Sequence, residues 1–253
     1  MTKAPARVDT TLSKGLAILE ALAGAEGSRG VSELSRALGL TKSNTFRLLQ
    51  TLIALGYVRR EEDKTYRATL KTWQVGRAVV EQLNLRTVAT PMLNYLSAET
   101  GETIYLAVRE NLQVVYIDKV DSQKPIRSWN PIGGTAPLHC VGTGKALLAS
   151  EYSRLRPQLP DVLDGFTELT CTDLQLLDVD MAETVQRGYA IDRGEFRAGI
   201  LSLGAAILLP DGSAAGALGV SVPDVNLQPG DLDRFGALVR HAAGTVSARL
   251  RHF

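Results

Sequence analysis

The chain is poor in the residues that build covalent or metal-based scaffolds. It has two cysteines, Cys140 and Cys171, and neither belongs to a Cys-x-x-Cys pair. That excludes a disulfide framework and predicts reduced, buried thiols. It has three histidines, His139, His241 and His252, none at ligand spacing from another histidine or cysteine. No metal site and no cofactor is therefore expected. No apolar run approaches the roughly 18 residues of a membrane span. The first residues, with Lys3 and Arg7, lack the apolar core of a signal peptide, so a cytoplasmic location is expected.

What is present is unevenly distributed. The formal net charge is +1, yet residues 1–80 carry 13 basic and seven acidic side chains. A basic small region precedes an acidic larger one, which predicts that only the first part meets an anionic polymer. At 253 residues the chain is long enough for two domains.

The first region reads as three helices and a hairpin. Over Leu12 to Gly24, residues Leu12, Leu16, Leu19 and Ala23 share one face. Val31 to Leu38 is a short helix stopped by Gly39. Thr41 then stands as the N-cap of a third helix, Lys42 to Leu55, closed by Gly56. Two helices around a Gly-containing turn form a helix-turn-helix. Tyr57 to Glu61 and Thr65 to Thr69 read as strands around Glu62-Asp63-Lys64, a wing. Leu70 to Asn84 returns to helical character, with Trp73, Val75, Val79 and Leu83 expected on its buried side. It is read as a linker helix, which places a winged helix-turn-helix in 1–70, the linker in 71–85 and a second domain in 86–253.

In that second domain, helices are expected at Val88 to Thr100, Gly142 to Ser150, Asp173 to Arg187 and from Asp231 to about Arg251. Strands are expected at Thr103 to Arg109 and Val114 to Val120. A hairpin of Ile200 to Leu209 and Ala215 to Val222 turns at Pro210-Asp211-Gly212. Hairpins with helices between them predict an antiparallel sheet in an α+β domain.

The third helix carries the chemistry of DNA recognition. If Phe46, Leu49 and Ile53 point inward, then Ser43, Asn44, Arg47, Gln50 and Thr51 point outward. That face has no carboxylate and offers donors to base edges and phosphates. Thr41 and Lys42 lie at the helix start, where unpaired amides can hold a phosphate. In the wing, Arg59, Arg60, Lys64 and Arg67 could clamp the DNA backbone, although Glu61, Glu62 and Asp63 dilute their charge.

Beyond these features the chain resembles the IclR family of bacterial transcriptional regulators over nearly its whole length. The resemblance rests on Leu12-Ser-Lys-Gly-Leu-Ala-Ile-Leu, Leu40-Thr-Lys-Ser-Asn-Thr-Phe-Arg-Leu-Leu-Gln-Thr-Leu and Leu55-Gly-Tyr-Val. In the second domain it rests on Pro137-Leu-His-Cys-Val-Gly-Thr-Gly-Lys-Ala-Leu-Leu-Ala, Arg187-Gly-Tyr-Ala-Ile-Asp and Ser221-Val-Pro. The resemblance implies a winged helix-turn-helix, a linker helix and a GAF-like effector-binding domain with an antiparallel sheet. It implies homodimers on a palindromic operator, often paired into tetramers, that regulate catabolism of carboxylic acids, sugars or aromatic compounds. Family effector pockets match Gly142, Thr143, Asp192, Ile200, Ser202, Gly219 and Ser221. Two of these depart from the family pattern, Ser202 replacing a frequent Cys and Gly219 a frequent Ser. Gly219 is expected to add room and favour a bulkier or less polar ligand.

The effector expected on this basis is a small organic acid, aromatic or aliphatic. Its carboxylate would meet the free amides at the start of the Gly142–Ser150 helix. Thr143, Ser202 and Ser221 would supply hydroxyls, and Asp192 would accept a hydrogen bond from a ligand hydroxyl or from pocket backbone. Apolar residues of the first helix and the linker exceed what one small domain can hide, so they are expected at a dimer seam. The competing readings are an enzyme and an effector-independent DNA-binding protein. Gly142-Thr-Gly-Lys145 is no phosphate loop, because His139 and Ala146 stand where Gly and Ser or Thr are required. His139-Cys140 lacks the geometry of a catalytic pair.

Overall fold

The computed structural model describes residues 9–81 and 84–250. The chain divides into two compact units, residues 1–82 and 83–253.

The first unit opens with α1 (Thr10–Ala23), capped by the Asp9 carboxylate, which accepts from the amides of Thr11 and Leu12 at 2.9 Å. Helix α2 (Val31–Ala37) ends at Gly39, whose φ of +62° suits glycine. Helix α3 (Lys42–Ala54) is capped by Thr41, which accepts from the Asn44 amide at 3.3 Å. Strands β1 (Val58–Arg60) and β2 (Tyr66–Ala68) pair antiparallel as the wing, with Lys64 at φ +66° in its turn. Helix α4 (Lys71–Glu81) follows. Ile18, Leu22, Leu34, Leu48, Leu49, Leu52, Val58 and Tyr66 form the core of this unit.

Three helical faces differ from expectation. In α1 the core residues are Ile18 and Leu22, whereas Leu12 is 64% exposed and Leu16 and Ala23 are also exposed. Both stripes obey the spacing of three and four; packing of α1 on α3 and β2 selects between them. In α3 the inward residues are Thr45, Leu48, Leu49 and Leu52, while Phe46 is 47% exposed and Ile53 only half-buried. In α4, Trp73 and Val75 are exposed rather than buried. The Val79 side chain and Leu83 lie outside the described residues.

The second unit begins with α5 (Leu85–Thr100), ended by Gly101 at φ +70°. Strands β3 (Thr103–Glu110), β4 (Gln113–Val120) and β5 (Thr135–Pro137) follow, then α6 (Gly142–Ser150), the short α7 (Tyr152–Leu155) and α8 (Leu174–Arg187). Strands β6 (Ala190–Asp192), β7 (Ile200–Leu208) and β8 (Ala214–Pro223) precede α9 (Asp231–Leu250). The six strands run in the order β5-β4-β3-β8-β7-β6, every pair antiparallel. Helices α5 and α9 pack on each other and on the central strands; α6 and α8 pack on each other and on β6. The sheet is thus covered by helices, which explains why β3 and β8 are buried almost continuously instead of alternating. The short strand β5 was not expected from the sequence, and β6 only through the family resemblance, which ends a strand at Asp192. Each has three residues, too few to show a period.

Cys140 is buried but Cys171 is only half-buried, and both are free thiols. Among the described residues no helix is long and apolar enough to cross a membrane, and no group of three His, Cys, Asp or Glu side chains could hold a metal.

Candidate DNA-reading face and effector cavity

On α3 the buried stripe at Thr45, Leu48, Leu49 and Leu52 turns Ser43, Arg47, Gln50 and Thr51 to solvent, with Asn44 half-exposed. Thr41 and Lys42 are exposed at the helix start. Few of these side chains are tied down. An Arg47 guanidinium nitrogen reaches Asn44 Oδ1 at 3.5 Å, a weak contact that leaves its other donors open. The Thr51 hydroxyl donates back to the Arg47 carbonyl at 3.2 Å, so it presents an acceptor rather than a donor.

The wing arginines are not equivalent. Arg59 and Arg67 are cross-strand partners, and both lie against Glu61, at 2.9 and 3.4 Å. One carboxylate thus offsets part of the charge of both. Arg60 is exposed and has no ion pair among the described residues. Lys64 is exposed at the tip. Asp63 serves the turn: its side chain accepts from Thr65, which holds its carboxyl below the usual range. The dilution expected from the acidic residues therefore falls mainly on Arg59 and Arg67.

In the second unit a cavity is bounded by β3, β4, α6, β6, β7, β8 and the loop between β4 and β5. Thr143, Asp192, Ile200, Ser202, Gly219 and Ser221 line it. Gly142 does not; it lets α6 approach β7, since a Cβ there would lie 2.8 Å from the Ser202 and Leu203 backbone. The room inside for water-sized spheres is small, about 30 Å3. A wider ligand must part the walls.

Most polar groups of the predicted set are engaged with one another. The Gly142 amide donates to Ser202 Oγ at 2.9 Å, and the Ser202 hydroxyl donates to Asp192 Oδ2 at 2.7 Å. Asp192 Oδ1 accepts from the Gly194 and Glu195 amides at 3.0 and 2.7 Å. Of the two roles expected for Asp192, accepting from pocket backbone is the one observed. The Ser221 hydroxyl donates to Ser128 Oγ at 2.8 Å. Burial pushes the Asp192 carboxyl up to about 6, against the opposing Ser202 and Glu195 hydrogen bonds. Of the amides at the α6 start, that of Gly142 is taken by Ser202, which also brings Asp192 to the helix start. One expectation is corrected. Gly219 adds no room, because a Cβ there would lie 2.5 Å from Thr143 Cγ2; the Thr143 side chain already fills the space.

The sequence did not single out Tyr105, Tyr116, Ser128, Asn130, Phe196 and Arg197, which also line the cavity, together with Val141, Leu203 and Val220. The Tyr105 and Tyr116 rings pack at 4.8 Å between centroids, tilted by 46°. Loop residues close the cavity: the Asn130 amide donates to the Tyr105 hydroxyl at 2.8 Å, and Arg197 Nη1 donates to the Trp129 carbonyl at 3.0 Å. No period marks a loop residue as cavity lining. The one available signal was an arginine, Arg197, just before a glycine-led strand.

Beneath the cavity, Lys145 is 2% exposed and pairs with Glu195 and, at 2.8 Å, with Asp180. Burial alone would lower its ammonium, but the Glu195 and Asp180 carboxylates outweigh it and raise it. Lys145 is therefore structural, in keeping with the rejection of a phosphate loop. Burial also raises the Cys140 thiol, and His139 Nε2 bonds the Asp164 carbonyl at 2.9 Å. Neither is poised as a nucleophile or base.

The family profile described as "Bacterial transcriptional regulator IclR C-terminal" matches residues 77–248. This chain belongs to the IclR family. The "IclR helix-turn-helix domain" profile matches residues 11–62. The HTH-type transcriptional repressor AllR of Escherichia coli K12 is 33% identical over 245 residues, covering 94% of this chain and 89% of its own. The Thermotoga maritima IclR structure has a TM-score of 0.80 at 26% identity, covering 95% of this chain and 98% of that one. An IclR homologue from Microbacterium hydrocarbonoxydans, solved with 4-hydroxybenzoate, has a TM-score of 0.83 at 22% identity, covering 96% and 100%; that likeness concerns the fold. IclR-family proteins such as AllR are transcriptional regulators rather than enzymes. The chain is accordingly a DNA-binding transcription regulator with an N-terminal helix-turn-helix and a C-terminal effector-binding domain.

Proposed function

We propose that the protein is an effector-controlled repressor of a catabolic operon, acting in the cytoplasm as a homodimer on a palindromic operator. The reading face of α3 carries this proposal: Ser43, Arg47 and Gln50 stand exposed on a helix without a carboxylate. The repressor sense is suggested by the AllR likeness. In this reading residues 1–70 dock on DNA, 71–85 link, and 86–253 sense the effector. Leu12 and Leu16 on α1, with Leu70, Trp73 and Val75 at α4, are exposed apolar side chains that a second copy would cover. One winged module buries too little surface for tight specific binding, which favours two half-sites. Sedimentation of the full chain with a selected operator tests this: two chains per palindrome are expected, and one chain per site would refute the dimer.

For the effector we retain a small organic acid but reverse its orientation. Asp192 lies beside the α6 start and repels an anion there. Arg197 lines the same cavity, has no ion pair among the described residues, and gives only one nitrogen to Trp129. A carboxylate would displace the Trp129 carbonyl and pair with the guanidinium in the two-pronged geometry that arginine favours. Its body would lie against Tyr105, Phe196 and Ile200. Calorimetry with monocarboxylates from glyoxylate to 4-hydroxybenzoate, each beside its neutral amide, is the test. Binding of an acid but not its amide, lost in Arg197→Gln, is expected; equal binding of acid and amide would refute the anchor.

A further inference from the structure

Phe46 stands where a buried residue was expected. Thr45, Leu48, Leu49 and Leu52 fill the inward stripe of α3, and at 100° per residue Phe46 projects about 110° from the middle of that stripe. It is 47% exposed. Its neighbours on the exposed surface are Ser43 one turn before, Arg47 beside it and Gln50 one turn after, all exposed. A large apolar ring thus sits among hydrogen-bonding side chains that face outward.

The surroundings fix the chemistry of what covers this ring. Helix α3 has no acidic residue, Lys42 and Arg47 lie on it, and Arg60 projects unpaired from the adjoining wing. That charge fits a polyanion and disfavours an apolar protein patch. Within the major groove the apolar group is the 5-methyl of thymine, present only at A·T pairs, and phenylalanine is among the side chains suited to it. Serine, arginine and glutamine cannot sense that methyl, since they read donors and acceptors.

We infer that Phe46 is a specificity-determining residue that reads a thymine 5-methyl group, next to the base edge taken by Arg47. This rests on the reading that α3 enters the major groove. Burying the methyl against the ring strengthens binding about fourfold in each half-site, the worth of one buried methylene-sized group, and about 15-fold on a symmetric operator. Phe46→Ala removes that gain at the contacted positions and leaves the base readout by Arg47 unchanged.

The full-length protein is used first to select a site from randomised duplexes. Each thymine of that site is then replaced in turn by deoxyuridine, which removes only the methyl group. Wild-type protein should lose about fourfold in affinity at one thymine per half-site. Phe46→Ala should be indifferent to the same replacement, and Phe46→Leu should keep part of the response. No thymine at which deoxyuridine matters, or equal sensitivity in wild type and Phe46→Ala, overturns the inference. A Phe46→Ala loss spread evenly over all sequences also overturns it, because it would mark a contact with the sugar-phosphate backbone. Failure to enrich any site would overturn the major-groove reading itself, a result distinct from these.

Discussion

The candidate reading face of α3 and the candidate effector cavity are built from similar residue types, yet they hold their polar groups in opposite ways. On α3, Ser43, Arg47 and Gln50 are exposed, and the one side-chain contact of Arg47, to Asn44, is long at 3.5 Å. At the cavity wall, bonds of 2.7 to 3.0 Å link Gly142 to Ser202, Ser202 to Asp192, and Asp192 to the Gly194 and Glu195 amides, and Ser221 is tied to Ser128. A surface that must choose among DNA sequences keeps its donors available. A buried cavity cannot leave its polar groups unpaired, since each would forgo hydration without replacement. A ligand that meets Asp192, Ser202 or Ser221 must therefore exchange bonds, which couples binding there to movement of the walls.

The sharpest way to break this contrast is at Lys145, below the cavity. Lys145→Met leaves the buried Glu195 without its cation, while the half-buried Asp180 keeps Arg187 at 3.6 Å, and should destabilise by roughly 3–5 kcal/mol. Thermal denaturation of the isolated protein would show it. Because the Glu195 amide holds Asp192, cavity binding should weaken as well.

Asp192 gives a pH test of comparable size. Its carboxyl is raised from the ordinary 3.8 to about 6. Between those values the folded state retains a proton that the unfolded chain has lost. Its contribution to stability is thus highest below pH 4, falls as pH rises through the window, and is constant above pH 6. The fall should be on the order of 3 kcal/mol. Subtracting the stability profile of Asp192→Asn from that of wild type isolates it; a difference that rises with pH would show the sign to be wrong.

Thr143 and Gly219 sharpen the packing side of the comparison. Gly219→Ser forces a side chain into space held by Thr143 and should cost about 1–3 kcal/mol. Thr143→Ala should relieve most of that cost in the double variant, and additive effects would show that the two residues do not compete.

On the open side, Arg47→Ala should lower operator affinity by about 1–3 kcal/mol without changing stability. The smallest effect is expected in the wing. Arg60→Ala should weaken binding to all sequences evenly and reduce the salt slope by about one, while Arg59→Ala should do less, because Glu61 already offsets that charge. Gel-shift titrations at several salt concentrations separate the three.

The sequence by itself determined the order of the longer elements, the helix stops at Gly39, Gly56 and Gly101, the Thr41 cap and the Pro210-Asp211-Gly212 hairpin turn. These are local matters, settled by backbone conformations that few residues adopt and by side chains bonding within three or four positions. It also carried the family motifs, and through them Thr143, Asp192, Ser202 and Ser221. Tertiary structure alone decided which of two permitted stripes of α1 is buried, and that Phe46 faces out while Leu48 faces in. Periodicity fixes the spacing of a stripe but not its direction, which depends on what the helix packs against. Tertiary structure also decided that Ser202 is bonded to Gly142 and Asp192, 60 and 10 positions away, and that Thr143 fills the space beside Gly219. Such bonds join residues that only the folded sheet brings together: Gly142 lies far outside any local window around Ser202, and Asp192 reaches it only because β6 pairs with β7.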